Sequence, residues 1–345
     1  MPKTNNLVVF GNPPYQQQSE GQKLRTTAKE QAKPIYHLFV EAVIDNLNPR
    51  YLSFITPSKW MGSGRGLSDY RERMSKDKRI KSVKHFENSK DVFKEVEVAG
   101  GISYFLWDRE YDGKCNFNNM HRYLSEYDII VTDNKAVSIL DKVISTHSKF
   151  LNETCSSQIP FGVVTTFKDW RESGTVCYCQ GKTKKFIDKS HFTDPNNLLS
   201  HWKVCTSKAN GAAQKDTGSG KRVIADAFVV EPDAICTQTF LVVNIFKSRI
   251  EAENFVPYMK TKFFRFLLGL RVITQNIVKE SFAFVPDLGD YSKPVTDADL
   301  YKRFGLNQEE IAYIESKIKT GIRGKSNGTD KVKRTSIQLR RGFHA

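Results

Sequence analysis

Residues 7–15 read Leu-Val-Val-Phe-Gly-Asn-Pro-Pro-Tyr, and this stretch sets the fold class. Four apolar residues, two of them β-branched, run into Gly11 in the manner of a buried strand entering a tight turn. Beyond Pro34, apolar side chains recur at 35, 38, 39, 42, 43 and 47, the stripe of a helix packed on a core. Residues 51–55 make a second strand, stopped by Thr56 and Pro57. A polar helix at 69–75, a strand at 80–86 and a strand at 98–107 interrupted by Gly100 and Gly101 follow. Strand alternating with helix is the wound α/β pattern, in which ligands gather at the carboxyl ends of strands. Asn12, Pro13, Pro14 and Tyr15 stand at the first such end.

The pattern changes near residue 150 to short β-like runs at 159–167, 175–181, 222–230 and 234–243. A Gly-, Lys- and Asp-rich loop at 210–221 separates two of them. Helix returns at 253–270 and at 297–318, where Asp297 reads as an N-cap before an acidic turn. Residues 317–345 carry nine Lys and Arg against one Asp, a tail suited to solvation and to nonspecific phosphate contacts. The chain therefore divides into an α/β unit at 1–125, a mainly β region at 150–296, and a C-terminal helix with a basic tail at 297–345.

With 345 residues, 39% of them hydrophobic, the chain has enough apolar surface for real cores, so wholesale disorder is excluded. A formal charge of +15 favours a polyanionic partner, nucleic acid before acidic small molecules. No run reaches membrane-spanning length and the N-terminus lacks a signal-peptide core, so the expected location is the cytoplasm. Six cysteines without a C-x-x-C spacing read as reduced and structural. Cys177 and Cys179 with His191 or His201 are a weak pattern for zinc, and strand packing explains them better. No phosphate-binding G-x-x-x-x-G-K-[ST] loop occurs, which leaves ATP use without support.

The Asn-Pro-Pro-Tyr segment has a chemistry of its own. An amino group conjugated to a flat ring is a poor nucleophile, because its lone pair is delocalised. Hydrogen bonds accepted from its two N–H groups by the Asn12 side-chain oxygen and the Pro13 carbonyl hold it and help free the lone pair. Two consecutive prolines fix φ and push Asn12 into an extended conformation, presenting both acceptors without further ordering cost. Tyr15 then stacks on the ring.

The segments LVVFGNPPYQ, IYHLFVEAVIDNL, YLSFITPSKWMGSGRG and DVFKEVEVAGGISYFLWD resemble the amino-methylating DNA methyltransferases of restriction-modification systems. Among these the chain is most similar to N6-adenine enzymes of the gamma motif order, including those fused to type II restriction nucleases. The resemblance covers residues 7–110 motif by motif and runs more loosely to 318, through KVCTSKANGAA, AICTQTFLVV and ADLYKRFGLNQEEIAYIESKI. It implies a partial Rossmann-like methyltransferase sheet followed by a mainly β or α+β target-recognition domain. It also implies S-adenosylmethionine as methyl donor, double-stranded DNA as substrate, Asn12 to Tyr15 as the catalytic loop, and Phe93 as a second aromatic against a flipped base. Core packing is an equal explanation of Phe93.

In the gamma order the donor-binding loop precedes the Asn-Pro-Pro-Tyr segment, and eleven residues precede Asn12. The expectation is that a donor-binding half is missing and that a separate N-terminal polypeptide supplies it. A permuted alternative through Gly62, Gly64 and Gly66 with Glu87 is disfavoured, because the resembling enzymes carry the same turn without binding the donor there. DNA recognition is expected from Lys203, Lys208, Asn210, Gln214, Lys215, Lys221 and Arg222. The other functions weighed are an inactive DNA-binding remnant and a methyltransferase for protein glutamine or RNA guanine. Cytosine C5 chemistry is disfavoured because no cysteine follows a proline.

Overall fold

The computed structural model describes residues 6–17, 33–62, 66–95, 97–98, 100–209, 223–272 and 276–318. Its first unit is a six-stranded mixed sheet in the order β1-β2-β4-β3-β5-β6, an α/β architecture. The strands are β1 (Val8–Gly11), β2 (Tyr51–Pro57), β3 (Ile80–Phe86), β4 (Ile102–Asp108), β5 (Cys115–Phe117) and β6 (Met120–Arg122). β1 runs parallel to β2, and β2 and β3 are both antiparallel to β4, which lies between them. The wound pattern thus gives a mixed sheet: the turn at Gly100 and Gly101 folds β4 straight back along β3. Gly101 has φ 78°, and a Cβ there would stand 2.2 Å from the Phe86 carbonyl oxygen, so this hairpin needs glycine.

Two helices cover one face. Tyr36 and Val40 of α1 (Tyr36–Ala42) and Ile44 of the π turn Val43–Leu47 pack with Tyr70 and Met74 of α2 (Ser68–Lys76) onto Leu52, Phe54, Val83, Phe105 and Trp107. The helix periodicity was legible, but its buried face is Tyr36, Val40 and Ile44. Leu38 and Phe39 are exposed instead, because the helix is apolar on more than one side. β1 corrects a second expectation, that of a buried strand, since only Val9 of its four residues is even partly buried. Among the described strands it pairs with β2 alone, and Val8 and Phe10 are 55% and 80% exposed. Val9 faces the helices with Leu52, while Val8 and Phe10 share the other face with Tyr51 and Ser53. Tyr104 is exposed on that face too.

The sequence reading missed α3 (Asn134–Thr146), whose Ile139, Leu140 and Val143 enter a large second core. After the short α4 (Leu151–Thr154), the chain builds β7 (Thr175–Tyr178), β8 (Lys184–Ile187), β9 (Trp202–Ser207), β10 (Phe228–Val230), β11 (Ala234–Cys236) and β12 (Phe240–Phe246). They form two three-stranded sheets, β10-β9-β12 and β11-β7-β8, enclosing a third core with Cys177, Cys205, Cys236 and Ile235. The expected run at 159–167 is turns, and the run at 234–243 is two strands.

Both long C-terminal helices are broken. Thr261 separates α5 (Arg249–Lys260) from α6 (Lys262–Gly269), and residues 304–307 separate α7 (Asp297–Arg303) from α8 (Gln308–Lys317). The N-cap of α7 is Thr296, in a reciprocal pair with Asp299. Asp297 instead accepts from the Lys262 and Phe263 N–H groups and so holds the start of α6. The basic tail beyond 318 lies outside the described residues.

Candidate active site and DNA-facing residues

β1, β2 and β3 point the same way, so Gly11, Pro57 and Phe86 end at one rim of the sheet. The Asn12–Tyr15 loop opens from that rim. Asn12 and Pro14 are exposed, Pro13 is buried, and Tyr15 is half-buried. The loop is anchored behind the motif, where the Ile35 N–H donates to the Tyr15 carbonyl at 3.1 Å and the Gln17 N–H to the Lys33 carbonyl at 3.1 Å. Tyr15 therefore sits against the start of α1 while Asn12 projects outward.

A chain of rings extends behind Tyr15. Tyr36 meets it edge-on, Tyr70 meets Tyr36 at 6.3 Å, and Trp60 meets Tyr70 at 5.2 Å between centroids. None of these rings was picked out from sequence. Among the described residues, the Tyr15 and Tyr70 hydroxyls and the Trp60 indole N–H are buried with no hydrogen-bond partner. Burial raises the pKa of Tyr15, which keeps the phenol neutral.

The next strand ends carry a second polar group that the sequence did not single out. His85 Nδ1 lies 2.9 Å from the Ser58 hydroxyl, and the Asn118 side-chain oxygen accepts from the His85 N–H at 2.9 Å. The Ser58 N–H donates to the Gly101 carbonyl at 3.0 Å, tying the end of β2 to the β3–β4 connection. Phe93 lies in that connection, half-buried, its N–H donating to the Ser89 carbonyl at 2.8 Å. Phe93 and Tyr15 thus stand at the same rim, on connections from strands three spacings apart, about 14 Å at ~4.8 Å per spacing.

The described residues do not assemble a fitting site for the methyl donor. Gly62 follows a tight turn whose Trp60 and Met61 are buried under the helices, and antiparallel β4 separates β2 from β3. A dinucleotide-type loop needs adjacent parallel strands, so the Gly62, Gly66 and Glu87 arrangement lacks that geometry; Gly64 lies outside the described residues.

Of the residues expected on DNA, Lys203 requires a correction. It is fully buried, and its ammonium donates to the carbonyls of Leu198, Leu199, His201 and Glu231 at 2.8–3.3 Å. A lysine so enclosed clamps two loops and is not available to a phosphate. Lys208 is half-buried, its ammonium on the Gln158 carbonyl at 3.1 Å. Asn210, Gln214, Lys215, Lys221 and Arg222 lie outside the described residues.

The six cysteines are buried free thiols, and burial pushes Cys115 and Cys155 up to about 12. Among the described residues no group of three or more His, Cys, Asp or Glu is placed to hold a metal ion. No described helix is long and apolar enough to cross a membrane.

Residues 7–93 match the family described as Eco57I restriction-modification methylase. An "Uncharacterized adenine-specific methylase" of Mycoplasma pneumoniae (strain ATCC 29342 / M129 / Subtype 1) is 42% identical over 112 residues, 32% of this chain and 25% of that protein. The matched stretch thus spans about a quarter of that curated relative. A solved structure of the type IIG restriction endonuclease BpuSI aligns over 83% of this chain and 44% of that one, at 11% identity and a TM-score of 0.30. That likeness is too low to carry an argument.

Proposed function

We propose that this chain contributes the catalytic loop and target-recognition part of a site-specific DNA methyltransferase. The enzyme moves a methyl group from S-adenosylmethionine to the N6 amino group of adenine in duplex DNA, as one arm of a restriction-modification system. The observation that carries the reading is an exposed Asn12 followed by buried Pro13 at the carboxyl end of β1, inside the stretch that matches the methylase family. Two acceptors, the Asn12 side-chain oxygen and the Pro13 carbonyl, hold the two amino N–H groups and localise the nitrogen lone pair. Tyr15, seated on Tyr36, offers a flat apolar face to the base. The base reaches the rim of the sheet only by leaving the duplex stack.

The open β1 edge and the uncovered face at Val8 and Phe10 support a donor-binding half packing there from outside the described residues. Sheets with parallel strands ordinarily have both faces covered. Residues 150–296 are the proposed recognition domain, with Lys208 and the 210–222 segment as its candidate contacts.

The test is to incubate adenine-containing duplex DNA and labelled S-adenosylmethionine with this chain, alone and with a polypeptide carrying the donor-binding half of an N6-adenine methyltransferase. N6-methyladenine only in the combined reaction is the expected outcome. Methylation by the chain alone overturns the donor arrangement, and a methylated cytosine or protein glutamine overturns the adenine assignment.

A further inference from the structure

Residues 180–185 read Gln-Gly-Lys-Thr-Lys-Lys and run from the turn after β7 into the first two residues of β8. Gly181 and Lys182 both have left-handed backbones, at φ 72° and 63°, which turns the chain sharply and leaves Lys182 exposed at the tip. Three lysines rest on rings: Lys182 on Phe228 at 4.7 Å, Lys184 on Tyr178 at 4.8 Å and Lys185 on Trp170 at 4.9 Å. A ring face steadies an ammonium without cancelling its charge. Among the described ion pairs only Lys184 has an acidic partner, Glu231 at 3.0 Å. Lys189, just past β8, is exposed as well, while the neighbouring Asp188 carboxylate accepts from the Ser190 N–H and hydroxyl.

Lysines on an edge strand also discourage strand pairing. Here that edge is already engaged, since the Arg171 N–H donates to the Phe186 carbonyl at 2.9 Å. The geometry points to a different use: we infer that the β7–β8 hairpin is a phosphate-contacting surface for duplex DNA, with Lys182, Lys185 and Lys189 on the sugar-phosphate backbone. This inference rests on the DNA reading above and gives it a surface apart from Lys203 and the 210–222 segment. The contacts are point charges that position the protein and read no bases.

The experiment titrates the full chain against a labelled duplex of arbitrary sequence at salt concentrations from about 50 to 200 mM. The variant carries Lys182→Gln, Lys185→Gln and Lys189→Gln, and a control loses the same charge through Lys78→Gln, Lys293→Gln and Lys302→Gln, all exposed. Loss of three phosphate contacts lowers the slope of log K against log salt by about 2 to 3 in the hairpin variant, while the control keeps nearly the parental slope. Equal slopes for the hairpin variant and the parent overturn the hairpin assignment alone. Failure of the parent to bind DNA at the lowest salt overturns the DNA reading and this inference with it.

Discussion

Tyr15 meets Tyr36 edge-on, with ring centroids 6.5 Å apart and planes at 79°. The contact fixes the motif tyrosine by its ring, and its hydroxyl has no partner among the described residues. Tyr15→Phe is therefore expected to keep the parental KM for DNA in the donor-complemented reaction. Tyr15→Ala loses both the Tyr36 contact and the stacking face, and raises KM about tenfold or more. A Phe variant as impaired as the Ala variant would assign the hydroxyl a direct role.

Asn12→Ala is expected to lower the methylation rate by about 100-fold or more in the same reaction, because one of two fixed acceptors for the amino group is gone. DNA affinity stays nearly constant, since it comes mainly from phosphates. Single-turnover rates and binding titrations measured in parallel separate the two effects. An unchanged rate would remove Asn12 from the chemistry.

Lys203→Met leaves the carbonyls of Leu198, Leu199, His201 and Glu231 without this donor, so the expected cost is about 2–4 kcal/mol in urea unfolding. The salt slope of DNA binding stays at the parental value. A reduced slope with normal stability would restore Lys203 as a phosphate contact.

Replacing Val8 and Phe10 by lysine charges the open edge and uncovered face of the first sheet. The isolated variant is expected to self-associate less than the parent in sedimentation velocity, with little change in melting temperature, because both side chains are exposed. The same substitutions abolish complementation by the donor-binding half. Full complementation by the lysine variant would show that the partner docks elsewhere.

Burial lowers the pKa of His85 below the ordinary imidazole value, with Glu87 pulling the other way. The unfolded chain then takes up a proton more readily than the folded one, so stability declines as pH falls below about 6.5 and levels off once the folded imidazole also protonates. His85→Gln flattens that part of the profile. Urea midpoints for parent and variant across this range give the difference directly, and parallel profiles would rule His85 out as the source.

Much of the first unit was legible because its signals are local. Gly11, Asn12 and the two prolines end a strand whatever surrounds them; the apolar run at 80–86 formed β3 as read, and the run at 51–55 formed β2, which continues through Thr56 and Pro57 to pair with β4. The placement of Asn12 at a strand's carboxyl end followed from those signals alone. The periodicity of 36–47 announced a helix, but which apolar side would be buried depended on the sheet beneath it.

What the sequence determined by itself is the set of elements near the motif and the chemistry that Asn12, Pro13 and Tyr15 can offer. Backbone punctuation and residue type act within a few positions, so no tertiary context was needed. Only the tertiary structure decided that β4 inserts between β2 and β3, that Phe10 is exposed, and that Lys203 is enclosed by carbonyls. Each of these depends on which surface, distant in sequence, comes to lie against the residue. A valine–phenylalanine run looks the same at an edge as in the centre of a sheet, and a lysine carries the same charge whether it meets water or four backbone carbonyls.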